Sequence, residues 1–158
     1  MNTVATIFYP PALPWHSLRQ RPHQMLRHLA RLGHKCVYHD AGLSGRESPL
    51  TEIEPGLFLL SKSALPDAAK PGKPIVLWIT LPEHHRLANG IYNESLLIFD
   101  LCDKPSEEFD YWKLGLDAAL CKATIVLTAS YLLYEEYKSL HPRVYYVPNG
   151  ADCEAFQT

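Results

Sequence analysis

The sequence predicts an α/β domain built on a doubly wound, mostly parallel sheet of about seven strands with helices on both faces. Three observations carry this. Short apolar runs alternate with helical stretches along the chain. The apolar runs are continuous rather than alternating, as in strands covered on both faces. A chain of 158 residues, 47% hydrophobic and 20% charged, suits one domain with its own core.

The elements follow in order. Thr3–Tyr9 (TVATIFY) is β-rich and bounded by Pro10-Pro11, so it reads as a strand. From Pro22 to Leu32, apolar residues recur at Met25, Leu26, Leu29 and Leu32, the spacing of one helix face. Pro22 suits the first turn, where its missing N–H costs nothing, and Gly33 suits the stop. Lys35–Asp40 (KCVYHD), Gly56–Leu60 (GLFLL) and Ile75–Ile79 (IVLWI) read as the next three strands. Leu96–Cys102 (LLIFDLC) is a fifth, followed by a helix from about Ser106 to Lys122. Thr124–Thr128 is a sixth strand, Tyr131–Leu140 a helix, and Val144–Val147 a short buried strand. Pro10–Ser17, Leu43–Glu54 and Ala64–Pro74 read as loops.

Several function classes fall away at once. With a net charge of −2, nothing in the totals argues for nucleic acid. No apolar run reaches the roughly 18 residues of a membrane span. The N-terminus lacks the charged start and small-residue cleavage site of a signal peptide. Cys36, Cys102, Cys121 and Cys153 show no CxxC spacing and read as reduced, mostly buried thiols of a cytoplasmic protein. The first glycine of the chain is Gly33, after the first helix, so there is no glycine-rich turn to approach a pyrophosphate. The dinucleotide-binding reading fails. HExxH and GxSxG are absent as well.

In such a sheet, ligands bind beyond the carboxyl ends of the strands. That rule nominates the segments after the first, fourth, fifth and sixth strands. After the first stand Trp15, His16, Arg19, Arg21, His23 and Gln24. Arg21, just before Pro22, falls at a helix N-terminus, where free N–H groups favour an anion; its plainer role is to cap a surface loop, with Trp15 plugging the sheet edge. His23, Arg27 and Arg31 recur every four residues, and His16 to Lys35 holds five Lys/Arg and no acid. This basic helix over 22–32 reads either as a solvated face or as a contact with anionic lipid headgroups or an anionic acceptor. Asp100 and Asp103 flank Cys102 at a strand end, suited to a general base, to sugar hydroxyls or to helix capping. His84 and His85 beside Glu83 lack a third ligand, so a substrate contact or a loop role is favoured over a metal.

Taken in order, these segments resemble the N-terminal domain of a family-4-type glycosyltransferase. RPHQMLRHLARLGHKCVYHD resembles the family's first helix and second strand, in a subgroup where a tryptophan precedes an Arg-Pro pair. LLIFDLCDKPSEEF resembles that subgroup's Tyr/Phe-Asp-x-x-Asp segment. KATIVLTASYLLYEEYKSLHPRVYYVPNGADCEAF resembles its last strand–helix–strand unit with the Pro-Asn-Gly-x-Asp turn.

The resemblance implies a GT-B architecture of two facing Rossmann-like domains. Residues 1–150 would form the acceptor-side domain and 151–158 the start of the interdomain linker, with the donor-binding domain beyond. On that basis the full-length protein would transfer a sugar, metal-independently, from a nucleotide sugar to a polysaccharide or glycolipid acceptor. The domain alone would be inactive. No cofactor is implied; the nucleotide sugar is a co-substrate held mainly by the other domain. Its partners are that domain and a saccharide or lipid-linked saccharide. Its place is the cytoplasm, at the inner face of the membrane if the basic helix touches lipid. Asp100 matches the strand-end residue facing the acceptor hydroxyl, Asp103 the second acid of that segment, Arg21 the Arg of Arg-Pro and Trp15 the preceding tryptophan; His16 and His84, from the strand-end segments, are further substrate-binding candidates. Asn149 and Gly150 match the interdomain turn. The chain lacks the Gly-Gly pair that many members carry after the first strand, so donor contact from this half would fall to Arg21 and neighbouring amides. The alternative is a stand-alone, non-catalytic α/β binding module. A receiver-like domain is disfavoured because YPPALPW supplies no acidic cluster.

Overall fold

The computed structural model describes residues 5–42 and 48–150. An 8-stranded sheet contains β1 (Thr6–Tyr9), β2 (Lys35–Asp40), β3 (Leu50–Glu54), β4 (Leu57–Ser61), β5 (Ile75–Ile79), β6 (Leu96–Leu101), β7 (Ile125–Thr128) and β8 (Val144–Tyr146). The strand order is β3-β4-β2-β1-β5-β6-β7-β8. All pairs are parallel except β3 with β4. The order therefore runs one way from β1 to β4 and the other way from β5 onward. The helices are α1 (Arg21–Arg31), α2 (Lys113–Lys122) and α3 (Tyr131–Tyr137). Thr3, Val4, residues 43–47, Cys153 and the expected linker 151–158 lie outside the described residues.

Local chemistry explains α1. The Gln20 N–H donates to His23 Nδ1 at 3.1 Å, so a side chain of the first turn satisfies a backbone donor just before it. At the other end Gly33 takes φ +91°, a conformation that favours glycine. Its N–H donates to the Ala30 carbonyl at 2.9 Å and the His34 N–H to the Leu29 carbonyl at 3.1 Å, the paired bonds of a Schellman stop.

Both faces of the sheet are buried, with the period-two alternation of strands. Ile7, Tyr9, Cys36, Tyr38, Val76 and Trp78 pack with Leu26 and Ala30 of α1. Phe8, Val37, Leu77, Phe99 and Val126 pack with Ala119 and Leu120 of α2 and Leu133 of α3. Each fully buried large side chain contributes roughly 1.5–3 kcal/mol of transfer free energy. Among the described residues, no helix is long and apolar enough to cross a membrane.

Four expectations are corrected. The sheet has eight strands rather than about seven, because Leu50–Glu54 is an edge strand and not loop. It pairs only with β4 through the tight Pro55-Gly56 turn, where Gly56 takes φ +79°. The helix expected from Ser106 begins instead as a 3₁₀ turn over Glu107–Trp112, with Phe109 at φ −102° and ψ 15°, before α2 proper. β8 is not buried: it is an edge strand, with Tyr145 and Tyr146 exposed. The basic stripe is broken too. His23 is buried among aromatic rings, and Arg27 pairs with Glu54 at 2.7 Å.

Gly115 of α2 sits where a Cβ would lie 3.0 Å from the Pro82 carbonyl carbon and 3.1 Å from the Glu83 nitrogen. The absence of a side chain lets α2 lie directly on the 3₁₀ turn Pro82–Leu87. That approach sets the position of Trp112 relative to the end of β5.

Candidate functional site at the carboxyl edge of the sheet

The carboxyl ends of β1, β5 and β6 open into a cleft of about 520 Å³. Its walls are Tyr9, Leu13, Phe109, Tyr111 and Trp112, with Thr80, Cys102, Asp103, Arg21 and Asn149 supplying polar atoms. Parallel register brings these together. Tyr9 ends β1 and Thr80 follows β5, and their hydroxyls share a hydrogen bond of 2.6 Å. Burial pushes the Tyr9 phenol well above its ordinary value, so it stays neutral.

Arg21 is the junction of the site. Its Nε donates to Asp100 Oδ2 at 2.8 Å. Its Nη1 donates to the Pro148 carbonyl and to Asn149 Oδ1, each at 3.1 Å. Asp100 is 0% exposed and also accepts from Trp78 Nε1 at 3.3 Å. The carboxylate thus lies behind Arg21 and is not among the residues lining the cleft. Three buried polar atoms here have no hydrogen-bond partner among the described residues: Arg21 Nη2, Trp112 Nε1 and Asp100 Oδ1.

Of the residues nominated from sequence, Arg21 and Asp103 line the cleft, with Asn149 at its edge. Asp100 stands directly behind Arg21. Gly150 follows Asn149, and apart from its chain neighbours no described residue comes within 4 Å of where its Cβ would lie. His84 lines an adjoining pocket of about 560 Å³ that shares Tyr111 and Trp112 with the cleft. Burial pushes the His84 imidazole down to about 4, opposed by a hydrogen bond at Pro11, so it is neutral near pH 7. Trp15 and His16 are elsewhere. They line a separate pocket with His23 and Arg27, and Trp15 is buried against Tyr38 and His23.

Sequence reasoning missed Tyr9, Thr80 and the Phe109–Trp112 aromatics. Phe109, Tyr111 and Trp112 fall inside the helix expected from Ser106 to Lys122. Three aromatics in four residues are more than one helix face can bury, and that crowding was the available signal.

Cys36 and Cys102 are free thiols whose values burial pushes up to about 12; Cys102 is raised further by Asp100 and lowered by Arg21. Cys121 is exposed, against the expectation of mostly buried thiols. Among the described residues, no cluster of three His, Cys, Asp or Glu side chains is arranged to hold a metal ion. No protein-family model and no curated protein matches this chain.

Proposed function

We propose that this chain is the acceptor-binding domain of a glycosyltransferase, Rossmann-like and doubly wound, with the saccharide acceptor in the cleft above Asp100. The observation that carries the reading is the pair of orphan donors. Arg21 and Trp112 come from different elements and line one aromatic-walled cleft, and each has a buried nitrogen, Nη2 and Nε1, with no partner among the described residues. A buried donor left unpaired costs roughly 1–3 kcal/mol, so such a cleft favours a ligand rich in acceptor oxygens. Aromatic walls add apolar ring faces. A pyranose offers both, with hydroxyl oxygens at its edge and C–H faces for stacking.

In this reading Arg21 and Trp112 hold acceptor hydroxyls, and Tyr111 and Phe109 stack on the sugar. Asp100 is a positioning residue that fixes the guanidinium. Arg21 also grips Pro148 and Asn149, which ties the cleft to the turn leading toward a second, facing domain. That domain holds the nucleotide sugar and carries the transfer chemistry, and the protein works in the cytoplasm on a polysaccharide or lipid-linked acceptor. A non-catalytic saccharide-binding module is the second reading. The full burial of Asp100 favours it, since that carboxylate stands behind Arg21 and is not among the residues lining the cleft.

The test uses saccharide binding by tryptophan fluorescence, together with transfer assays on the full-length protein and a panel of nucleotide sugars. Trp112→Phe keeps the ring and removes the donor, and is expected to weaken saccharide binding about fivefold to tenfold. Saccharide-dependent turnover supports the transferase, and binding without turnover supports the module. Absence of any saccharide binding overturns both.

A further inference from the structure

We propose that the pocket between the Trp15 loop and α1 is a binding site for a phosphate-type oxyanion, separate from the saccharide cleft and sharing no lining residue with it among the described residues. The pocket has a volume of about 370 Å³ and is lined by Trp15, His16, Arg19, His23, Arg27 and Glu54, among others.

The argument starts from His23. It is 1% exposed, and its Nδ1 accepts the Gln20 N–H at 3.1 Å. A neutral imidazole that accepts at Nδ1 carries its hydrogen on Nε2. That Nε2–H is buried and has no acceptor among the described residues. The ring cannot turn to find one. It is held between Tyr38 at 5.1 Å and Trp15 at 4.8 Å between ring centroids. A fixed, desolvated donor beside a pocket favours a ligand acceptor atom there.

The charges around it select an anion. Arg27 pairs with Glu54 at 2.7 Å and lies 5.6 Å from the Trp15 ring centroid. Arg19 is exposed and has no carboxylate partner among the described residues. Among the lining residues two guanidinium groups stand against one carboxylate, with the Asp40 carboxylate behind Trp15, whose N–H it accepts at 3.2 Å, and the oxyanion pairs with the Arg19 charge that Glu54 does not meet. Its tetrahedral oxygens suit several donors at once, here the His23 N–H, Arg19 and Arg27, all from residues that line the pocket. Burial first, then Arg27 and Arg19, hold His23 below its ordinary value, while Asp40 acts the other way. A bound anion offsets the two arginines and raises the His23 value.

The experiment is imidazole nitrogen NMR of the full chain titrated with inorganic phosphate. The expected result is a saturable shift of the His23 Nε2 signal and an upward move of its titration midpoint. Arg19→Ala, a change at an exposed residue, is expected to weaken phosphate binding about tenfold or more. Sedimentation with phosphatidic acid vesicles, against phosphatidylcholine alone, identifies the source. Arg19-dependent sedimentation assigns the phosphate to a lipid headgroup, and phosphate binding without sedimentation assigns it to a soluble ligand. No saturable shift, or an affinity unchanged in Arg19→Ala, overturns the site whatever the cleft binds.

Discussion

Arg21 Nε and Asp100 Oδ2 meet at 2.8 Å although 79 residues separate them in the chain. The contact joins the start of α1 to the end of β6, elements that are not consecutive in the chain. The guanidinium side chain is 8% exposed and the carboxylate 0%, so the pair is held largely away from water. Breaking such a pair costs more than its net contribution, because the surviving charge stays buried.

Asp100→Ala is therefore expected to destabilise the fold by roughly 3–5 kcal/mol. The joint replacement of Arg21→Met with Asp100→Leu should recover most of that loss, since no charge is stranded. Urea unfolding of the three variants checks this. A loss below about 1 kcal/mol in Asp100→Ala, the range of an exposed pair, would show that the contact is open to solvent.

Acid should weaken the fold before carboxylates protonate. Burial lowers the His23, His39 and His84 values, His84 to about 4, from an ordinary 6.5. Below pH 6.5 the unfolded chain binds protons that the folded chain refuses, so stability falls as pH falls. Each histidine still neutral adds about 1.4 kcal/mol per pH unit. Above that window they add no slope. Urea midpoints at several values between pH 7 and 5 test the sign, and His84→Gln should flatten part of the slope. A midpoint that does not move over this range contradicts the burial assigned to these rings.

Gly115→Ala should cost roughly 1–3 kcal/mol, because its Cβ meets backbone of Pro82 and Glu83 that has no side-chain freedom to yield. The same change should shift the Trp112 fluorescence, since that ring immediately precedes α2 and lines the cleft. Unfolding followed by tryptophan emission reads both effects. A variant as stable as the parent would mean that the turn over Pro82–Leu87 moves freely.

Thiol alkylation should follow exposure and charge. Cys121 is exposed, while Cys36 and Cys102 are pushed up to about 12 by burial. At pH 8, peptide mapping should find Cys121 modified first, half-buried Cys102 at the cleft more slowly, and Cys36 only on unfolding. Labelling of Cys36 as fast as Cys121 would contradict the burial assigned to it.

The sequence by itself determined the α/β class, the parallel central strands and the limits of α1. These depend on information that is local in the chain: continuous apolar runs, period-3.6 spacing, Pro22 at a helix start and Gly33 at a φ of +91°. It also brought Arg21 and Asp100 forward as candidates. It misjudged β3 and β8, because an edge strand has one neighbour and its composition need not reflect burial on both faces. Only the tertiary structure decided what the candidates do. Parallel register set Asp100 behind Arg21, close packing at Gly115 carried Trp112 to the cleft, and the Tyr38 ring drew Trp15 and His23 into a pocket of their own. Those relations join residues far apart in sequence, and no periodicity within one element encodes which side chain a fold will bury against another.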